Sequence, residues 1–165
     1  MIMQLKLNKE YAFRHLFAIA VMVGMGLWFG YDGFIRYPKT EAAELYRSIE
    51  GEEPQPGIKL EAFKTQKTHT QYGFTFICLF IALVVGSRLN RERKFRFEFD
   101  DKGFTTNEGK FYAYSEIVEI DRTRWENKQL IVLTVKDDNN QPKRILLDGW
   151  HHLGVKELVT NYLNK

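Results

Sequence analysis

The sequence predicts an α+β membrane protein in which a two-helix transmembrane hairpin precedes a small antiparallel β domain with a C-terminal capping helix. The hairpin is predicted by residues 16–31 and 72–87, two apolar runs that contain no charged residue. The β domain is predicted by residues 95–100, where Phe95, Phe97 and Phe99 alternate with polar side chains. That two-residue period is typical of a half-buried strand.

Both apolar runs are close to the length that a membrane span requires. A hydrocarbon core about 30 Å thick needs about 20 helical residues at about 1.5 Å of rise each. Each run is slightly short, but residues 33–35 extend the first and residues 68–71 extend the second. The predicted parts are therefore an N-terminal segment (1–14), transmembrane helix 1 (15–36), a loop (37–70), transmembrane helix 2 (71–88) and the β domain (89–165).

The N-terminal segment resembles the basic n-region of a signal peptide, because Lys6, Lys9 and Arg14 precede an apolar run. The run continues through residues 27–29, where a mature chain would have to begin, and this favours an uncleaved helix. Lys and Arg near the span ends decide orientation. The densest basic group follows the second span, which predicts a two-pass protein with both termini in the cytoplasm. That group, the predicted site for anionic headgroups or a partner, comprises Arg88, Arg91, Arg93, Lys94 and Arg96. A second reading is that it only sets the orientation.

Small residues four positions apart occur in both runs. In lipid, such pairs let helix backbones approach closely. They either pack the hairpin against itself or hold a second copy or another membrane protein, and the sequence leaves both readings open. The predicted helix-packing residues are Ala20, Gly24, Gly26, Gly30, Ala82 and Gly86.

The end of the first span carries Asp32 and Arg36, which stand four residues apart and can form an interfacial ion pair. Trp28, Tyr31 and Tyr37 suit the headgroup level. Pro38 is expected to end the helix.

The extracytoplasmic loop is predicted to contain a short amphipathic helix over residues 41–50, capped by Thr40 and closed by Gly51. A second short amphipathic piece is expected around Ile58, Leu60 and Phe63.

Beyond residue 94 the pattern predicts short strands separated by residues that favour turns. Val155, Leu158, Val159 and Tyr162 then form the apolar stripe of a last helix. The predicted strands are residues 95–99, 104–106, 110–114, 116–124, 129–136 and 143–148.

Several classes of function are not indicated. The net charge of +3 is too small to suggest a nucleic-acid binder, and the single cysteine, Cys78, excludes an intrachain disulfide. No phosphate-binding, nucleophile-elbow or zinc motif occurs in the sequence. His151 and His152 are adjacent, and we expect a solvent-facing pair and no metal ligand. The chain is therefore not expected to be an enzyme or to bind a cofactor.

The order of strands and a terminal helix behind a membrane hairpin resembles bacterial membrane proteins with a pleckstrin-homology-like (PH-like) domain. The likeness is carried by residues 99–104, residues 114–120, the strand at 130–135 and the last helix. It implies a binding or scaffolding module at the bacterial inner membrane that recruits a protein or lipid partner. The alternative is an accessory or assembly subunit of a larger membrane complex. The expected partners are membrane lipids and either a membrane protein or a second copy.

Overall fold

The computed structural model of the chain describes residues 2–137 and 140–163. These residues divide into two compact units. The hairpin unit comprises residues 15–88. The β unit comprises residues 2–14 and 89–163, apart from Asp138 and Asn139, which belong to a predicted turn and lie outside the described residues. The predicted sequence of two apolar helices followed by a small antiparallel β region is confirmed.

Helix α1 extends from Lys9 to Lys39. It is α-helical over Lys9–Tyr31, π-helical over Asp32–Arg36 and α-helical again over Tyr37–Lys39. The helix ends one residue beyond Pro38, close to the predicted stop. The π-helical segment precedes a proline that lacks a backbone N–H and cannot continue the ordinary hydrogen-bond ladder.

Helix α2 covers Ala42–Glu50 and ends at Gly51, whose positive φ of 77° suits glycine. The predicted Thr40 cap is wrong. The Thr40 hydroxyl donates to the Arg36 carbonyl at 2.8 Å, so it closes the end of α1 and does not begin α2.

Helix α3 extends without interruption over Leu60–Lys94. The predicted second amphipathic piece is therefore the start of α3 and no separate helix. At about 1.5 Å per residue, 35 residues reach roughly 52 Å, well beyond a bilayer core.

Within the hairpin unit, α1 and α3 pack antiparallel. An added Cβ at Gly26 would lie 3.2 Å from Leu79, one at Gly30 3.7 Å from Thr75, and one at Gly33 2.9 Å from Tyr72. The contacted residue numbers on α3 decrease as the residue numbers on α1 increase, so the two helices pack in an antiparallel register. Rings stack along the same seam, with Phe34 and Tyr72 4.4 Å apart between centroids.

Both long helices are long and apolar enough to cross a membrane. In their most apolar stretches only 6% of the residues of α1 and 22% of those of α3 are buried within the protein. A core helix of a soluble protein would bury most of such a stretch, so the low burial fits helices that could cross a membrane.

The β unit contains nine short strands among the described residues. Strands β1, β3, β4 and β5 form a four-stranded sheet in that order, β6, β7 and β8 form a three-stranded sheet, and β2 pairs with β9. All pairs are antiparallel. The strands are β1 (Met3–Gln4), β2 (Lys6–Leu7), β3 (Glu98–Phe99), β4 (Gly103–Thr105), β5 (Phe111–Ala113), β6 (Ile117–Asp121), β7 (Leu130–Lys136), β8 (Pro142–Asp148) and β9 (His152–Leu153).

The N-terminal segment is part of this β unit, which the sequence pattern does not indicate. Met3 pairs with Phe99 and Lys6 pairs with Leu153. Between them, Leu5 is 3% exposed and its N–H donates to the Phe97 carbonyl at 2.9 Å. Residues at the start of the chain therefore complete a sheet made mostly by its last 70 residues.

One hydrophobic core joins the two sheets and the last helix. The predicted alternation is confirmed, since Phe97 and Phe99 are buried while Arg96 and Glu98 are exposed. The core residues are Leu5, Phe97, Phe99, Phe104, Tyr112, Ile131, Leu133, Val135, Ile145, Leu147, Val155, Leu158, Val159 and Leu163.

The last helix begins with α5 (Val155–Leu158) and continues as a π-helical segment, Val159–Leu163. Its predicted apolar stripe faces the core, with Tyr162 partly buried against the Phe99 ring at 5.6 Å. A short helical turn, α4 (Trp125–Lys128), connects β6 to β7.

Candidate functional site

The predicted basic group lies at the end of α3 and just beyond it. Arg88, Arg91, Arg93 and Lys94 are on the last turns of the helix, Arg96 follows it, and all five are exposed. At about 100° per residue the four helical positions are spread around most of the helix circumference. Leu89, which is 3% exposed, and Glu92 occupy the remaining sector and face the β unit. The group therefore forms a belt around the helix and not a one-sided pocket.

Glu92 belongs to a cluster of titratable side chains that no local sequence pattern indicates. We call Tyr11, Glu92, Asp148, His151 and His152 the junction cluster. His151 Nδ1 lies 3.3 Å from Asp148 Oδ2 and 3.6 Å from Glu92 Oε1. His152 Nε2 lies 3.7 Å from Glu92 Oε2, and the Tyr11 ring is 4.2 Å from the His151 ring. The prediction of a solvent-facing histidine pair is wrong, because His152 is only 4% exposed.

Backbone hydrogen bonds hold the junction cluster in place. Asp148 Oδ1 accepts the N–H groups of Trp150 and His151 at 2.8 and 3.2 Å, which turns the chain after β8. The Asn8 N–H donates to the His151 carbonyl at 2.7 Å, and the Asn8 side chain donates to the Trp150 carbonyl at 3.2 Å. The start of α1, the end of α3 and the β8–β9 turn are thereby fastened together.

Burial dominates the electrostatics of His152 within this cluster. Burial lowers the pKa of His152, and the nearby Glu92 carboxylate opposes that shift without overcoming it. Elsewhere in the β unit, burial raises the pKa of Tyr114. Within residues 2–137 and 140–163, no three His, Cys, Asp or Glu side chains are grouped so that they could hold a metal ion. The arrangement suits a structural junction with a protonation-sensitive histidine.

Stability is expected to depend on pH through His152. A histidine with a lowered pKa in the folded state binds fewer protons than in the unfolded state, so acidification favours unfolding. As pH falls from about 7.5 through the ordinary histidine value near 6.5, the melting temperature of the full chain in mild detergent should decrease by a few degrees.

The His152→Gln variant should show a smaller decrease, and His69→Gln, which changes an exposed histidine, should behave like the parent. Equal pH dependence in the parent and in His152→Gln would contradict this prediction.

The small residues in the helices fall into two groups. Gly26 and Ala82 are buried, and Gly30 faces Thr75, so these three line the contact between α1 and α3. Gly86 is partly buried, and a Cβ added to it would lie 3.9 Å from the Ile19 side chain. Ala20 and Gly24 are exposed, and an added Cβ at Gly24 meets nothing within 4 Å. Packing of the hairpin against itself thus fits Gly26, Gly30 and Ala82, whereas contact with a second copy or another protein stays a prediction for Ala20 and Gly24.

Leucine substitutions distinguish the face of α1 that contacts α3 from the face that points outward. Gly26→Leu is expected to force α1 and α3 apart, because even an added Cβ already lies 3.2 Å from Leu79. The hairpin unit should then become more sensitive to protease and melt at a lower temperature in detergent. Gly24→Leu is the matched control on the same helix and should leave both properties unchanged. A comparable loss in the two variants would refute the assigned register.

The predicted pair Asp32 and Arg36 is in contact, with Arg36 Nη1 3.4 Å from Asp32 Oδ1. Asp32 is 6% exposed and lies in the π-helical segment. Tyr37 packs within the hairpin unit, since its side chain is 7% exposed and its hydroxyl accepts from Gln71 Nε2 at 3.3 Å, and its headgroup-level position stays a prediction. Trp28 and Tyr31 remain exposed, as an interfacial position requires.

Comparisons with known proteins add no assignment. No protein-family model matches the chain, and searches of curated proteins and of solved structures also find no match.

Proposed function

We propose that this chain is a membrane-anchored binding module of the bacterial inner membrane. The hairpin unit crosses the bilayer twice, and the β unit lies in the cytoplasm, where it recruits a protein or lipid partner. The observation that carries the proposal is the composition of the β unit. It contains both ends of the chain, the first turn of α1 and the last turns of α3. Two spans that begin and end in one folded unit fit a two-pass protein with both termini on the same side.

The distribution of basic side chains supports the cytoplasmic placement. The apolar run of α1 is preceded by Lys6, Lys9 and Arg14. The apolar run of α3 is followed by the basic belt. Lys and Arg within about 15 to 20 residues of the span ends favour the cytoplasmic side. Holding a weak binding domain at the membrane raises its effective concentration for partners there, so no tight site is needed.

The architecture of the β unit supports the PH-like assignment. The C-terminal part supplies six of the strands in the two larger sheets, and β1 from the N-terminus makes the seventh, while β2 and β9 form a separate pair. Seven strands in two sheets with a terminal helix are the arrangement that the resemblance implies. The proposal assigns no catalytic activity.

A second candidate is an accessory or assembly subunit of a membrane complex. It is favoured by the outward face of α1, where Ala20 and Gly24 are exposed and leave space for close approach of another helix. Under this alternative the contact lies in the membrane and not on the β unit.

A photo-crosslinking amino acid distinguishes the two candidates. It is placed singly at Phe111 or Val118, which are 50% and 60% exposed on the β unit, and at Ala20 or Gly24 on α1. The binding module predicts adducts from Phe111 or Val118 in intact membranes, whereas the subunit predicts adducts from the α1 positions alone. Glu53, exposed in the loop, serves as a control position. Release of the chain from membranes by alkaline carbonate would overturn both candidates.

A further inference from the structure

Trp150 is a large apolar side chain that the fold of the β unit leaves outside the core. It is 58% exposed, on the turn between β8 and β9. Its backbone is nevertheless held at both ends, by Asp148 and by Asn8. The indole, together with Asn8, Glu10, Tyr11 and Arg14, lines a small cavity of about 120 Å³. An exposed indole on a backbone that is hydrogen-bonded at both ends indicates a contact surface and not a frayed loop.

The turn contacts two helices, in each case close in sequence to an apolar run. His151, the neighbour of Trp150, contacts Tyr11 on α1 and Glu92 on α3. Tyr11 precedes the first apolar run by five residues, and Glu92 follows the second by five. At about 1.5 Å per residue, Tyr11 and Glu92 each stand roughly 7 to 8 Å along their own helix from the end of the apolar run. The headgroup zone of a bilayer is of similar depth, about 5 to 8 Å per side.

The side chains around Trp150 have the chemistry expected in the headgroup zone of a bilayer. Phe13 is 70% exposed and lies on α1 between Tyr11 and the apolar run. The Arg14 side chain is 71% exposed although its guanidinium pairs with Glu10 Oε1 at 2.5 Å, and the basic belt surrounds the end of α3. Indole rings are favoured at headgroup level because one part of the ring is apolar and the N–H is polar. Exposed guanidinium groups beside it are attracted to anionic headgroups.

We infer that Phe13, Arg14 and Trp150 form an interfacial patch through which the β unit rests on the anionic surface of the bilayer that its own helices cross. The inference depends on the proposed function, because it requires α1 and α3 to span the membrane. It goes further by assigning a lipid contact to the β unit itself. The junction cluster acts as the support of this patch, since it fixes the β8–β9 turn to the ends of both helices.

Depth-dependent fluorescence quenching tests the patch. The chain has tryptophans at positions 28, 125 and 150. Single-tryptophan chains are made by replacing the others with phenylalanine. They are reconstituted in vesicles of phosphatidylcholine and phosphatidylglycerol whose acyl chains are brominated close to the headgroup. The chain that retains Trp150 is expected to lose a large part of its emission relative to unbrominated vesicles.

Two control chains define the scale. Trp28 lies within the apolar run of α1, so its chain reports whether the helix enters the bilayer. For the second control, all three native tryptophans are replaced and Gln141→Trp is introduced beside the far end of β8. That position is about 23 Å along the strand from Asp148 at about 3.3 Å per residue, and its emission should be insensitive to bromine.

Each outcome decides between the two claims. Quenching of Trp150 without quenching of the Gln141→Trp chain supports the patch. Quenching of Trp28 alone overturns the patch and leaves the proposed function standing, whereas no quenching of Trp28 overturns both. If the multiple replacements unfold the β unit, the Trp150→Phe variant of the otherwise native chain is compared with the native chain. The variant should show a smaller bromine-dependent loss of emission, because Trp150 no longer contributes to that loss. An unchanged loss would overturn the patch.

Discussion

Replacing Leu5 with aspartate is expected to unfold the β unit. Leu5 is 3% exposed in the common core, next to Gly154, although it lies near the start of the chain. Placing a carboxylate there removes apolar contacts and buries an unpaired charge, at an expected cost of about 4 kcal/mol or more. Small domains are stable by only about 5 to 15 kcal/mol. Thermal melting and limited proteolysis of the full chain in mild detergent measure the loss.

Ile2→Asp is the matched control, because Ile2 is 70% exposed three residues earlier. It should leave melting and proteolysis close to those of the parent. If Leu5→Asp also left them unchanged, the N-terminal segment would not be part of the core. The same reasoning predicts that a fragment beginning at residue 94 will not fold alone, since it lacks Leu5, β1 and β2.

Replacing Gly103 with alanine is expected to separate β4 from β5. Gly103 pairs with Ala113, and an added Cβ would overlap the Tyr112 carbonyl and lie 3.0 Å from Ala113 Cα. Backbone atoms cannot move aside as flexible side chains do, so the hairpin must distort. We expect a loss of about 3 kcal/mol, measured as a lower melting temperature of the full chain.

Gly109 in the same hairpin provides the comparison. Its φ is 77°, but an added Cβ meets nothing within 4 Å. Gly109→Ala should therefore cost only the left-handed backbone penalty of about 1 kcal/mol. A smaller effect at Gly103 than at Gly109 would show that the β4–β5 pairing is misassigned.

The predicted elements that were confirmed depend on local pattern. The Asp100 side chain accepts the N–H groups of Lys102 and Gly103 at 2.8 and 3.2 Å, as the turn at residues 101–103 requires. Strand β7 alternates between buried and partly exposed residues at the predicted period. These features arise within a few residues, so a single stretch of sequence contains enough information to predict them.

The predictions that were wrong depend on distant partners. His152 is buried because Glu92 and Phe95, more than 50 residues earlier, pack against it. Thr40 is the exception, because the Arg36 carbonyl that accepts its hydroxyl lies only four residues earlier. The N-terminal strands have only two residues each, too few for any periodicity to be visible.

By itself the sequence determined that this protein has two long apolar helices and a tail of short antiparallel strands, because run length and periodicity are local properties of the chain. Only the tertiary structure decided that residues 2–7 complete the sheet, that Gly26 and Gly30 face α3 while Gly24 faces outward, and that His151 and His152 join the two helix ends. Those features depend on which surfaces meet, and contacts between residues up to about 150 positions apart leave no pattern within either partner.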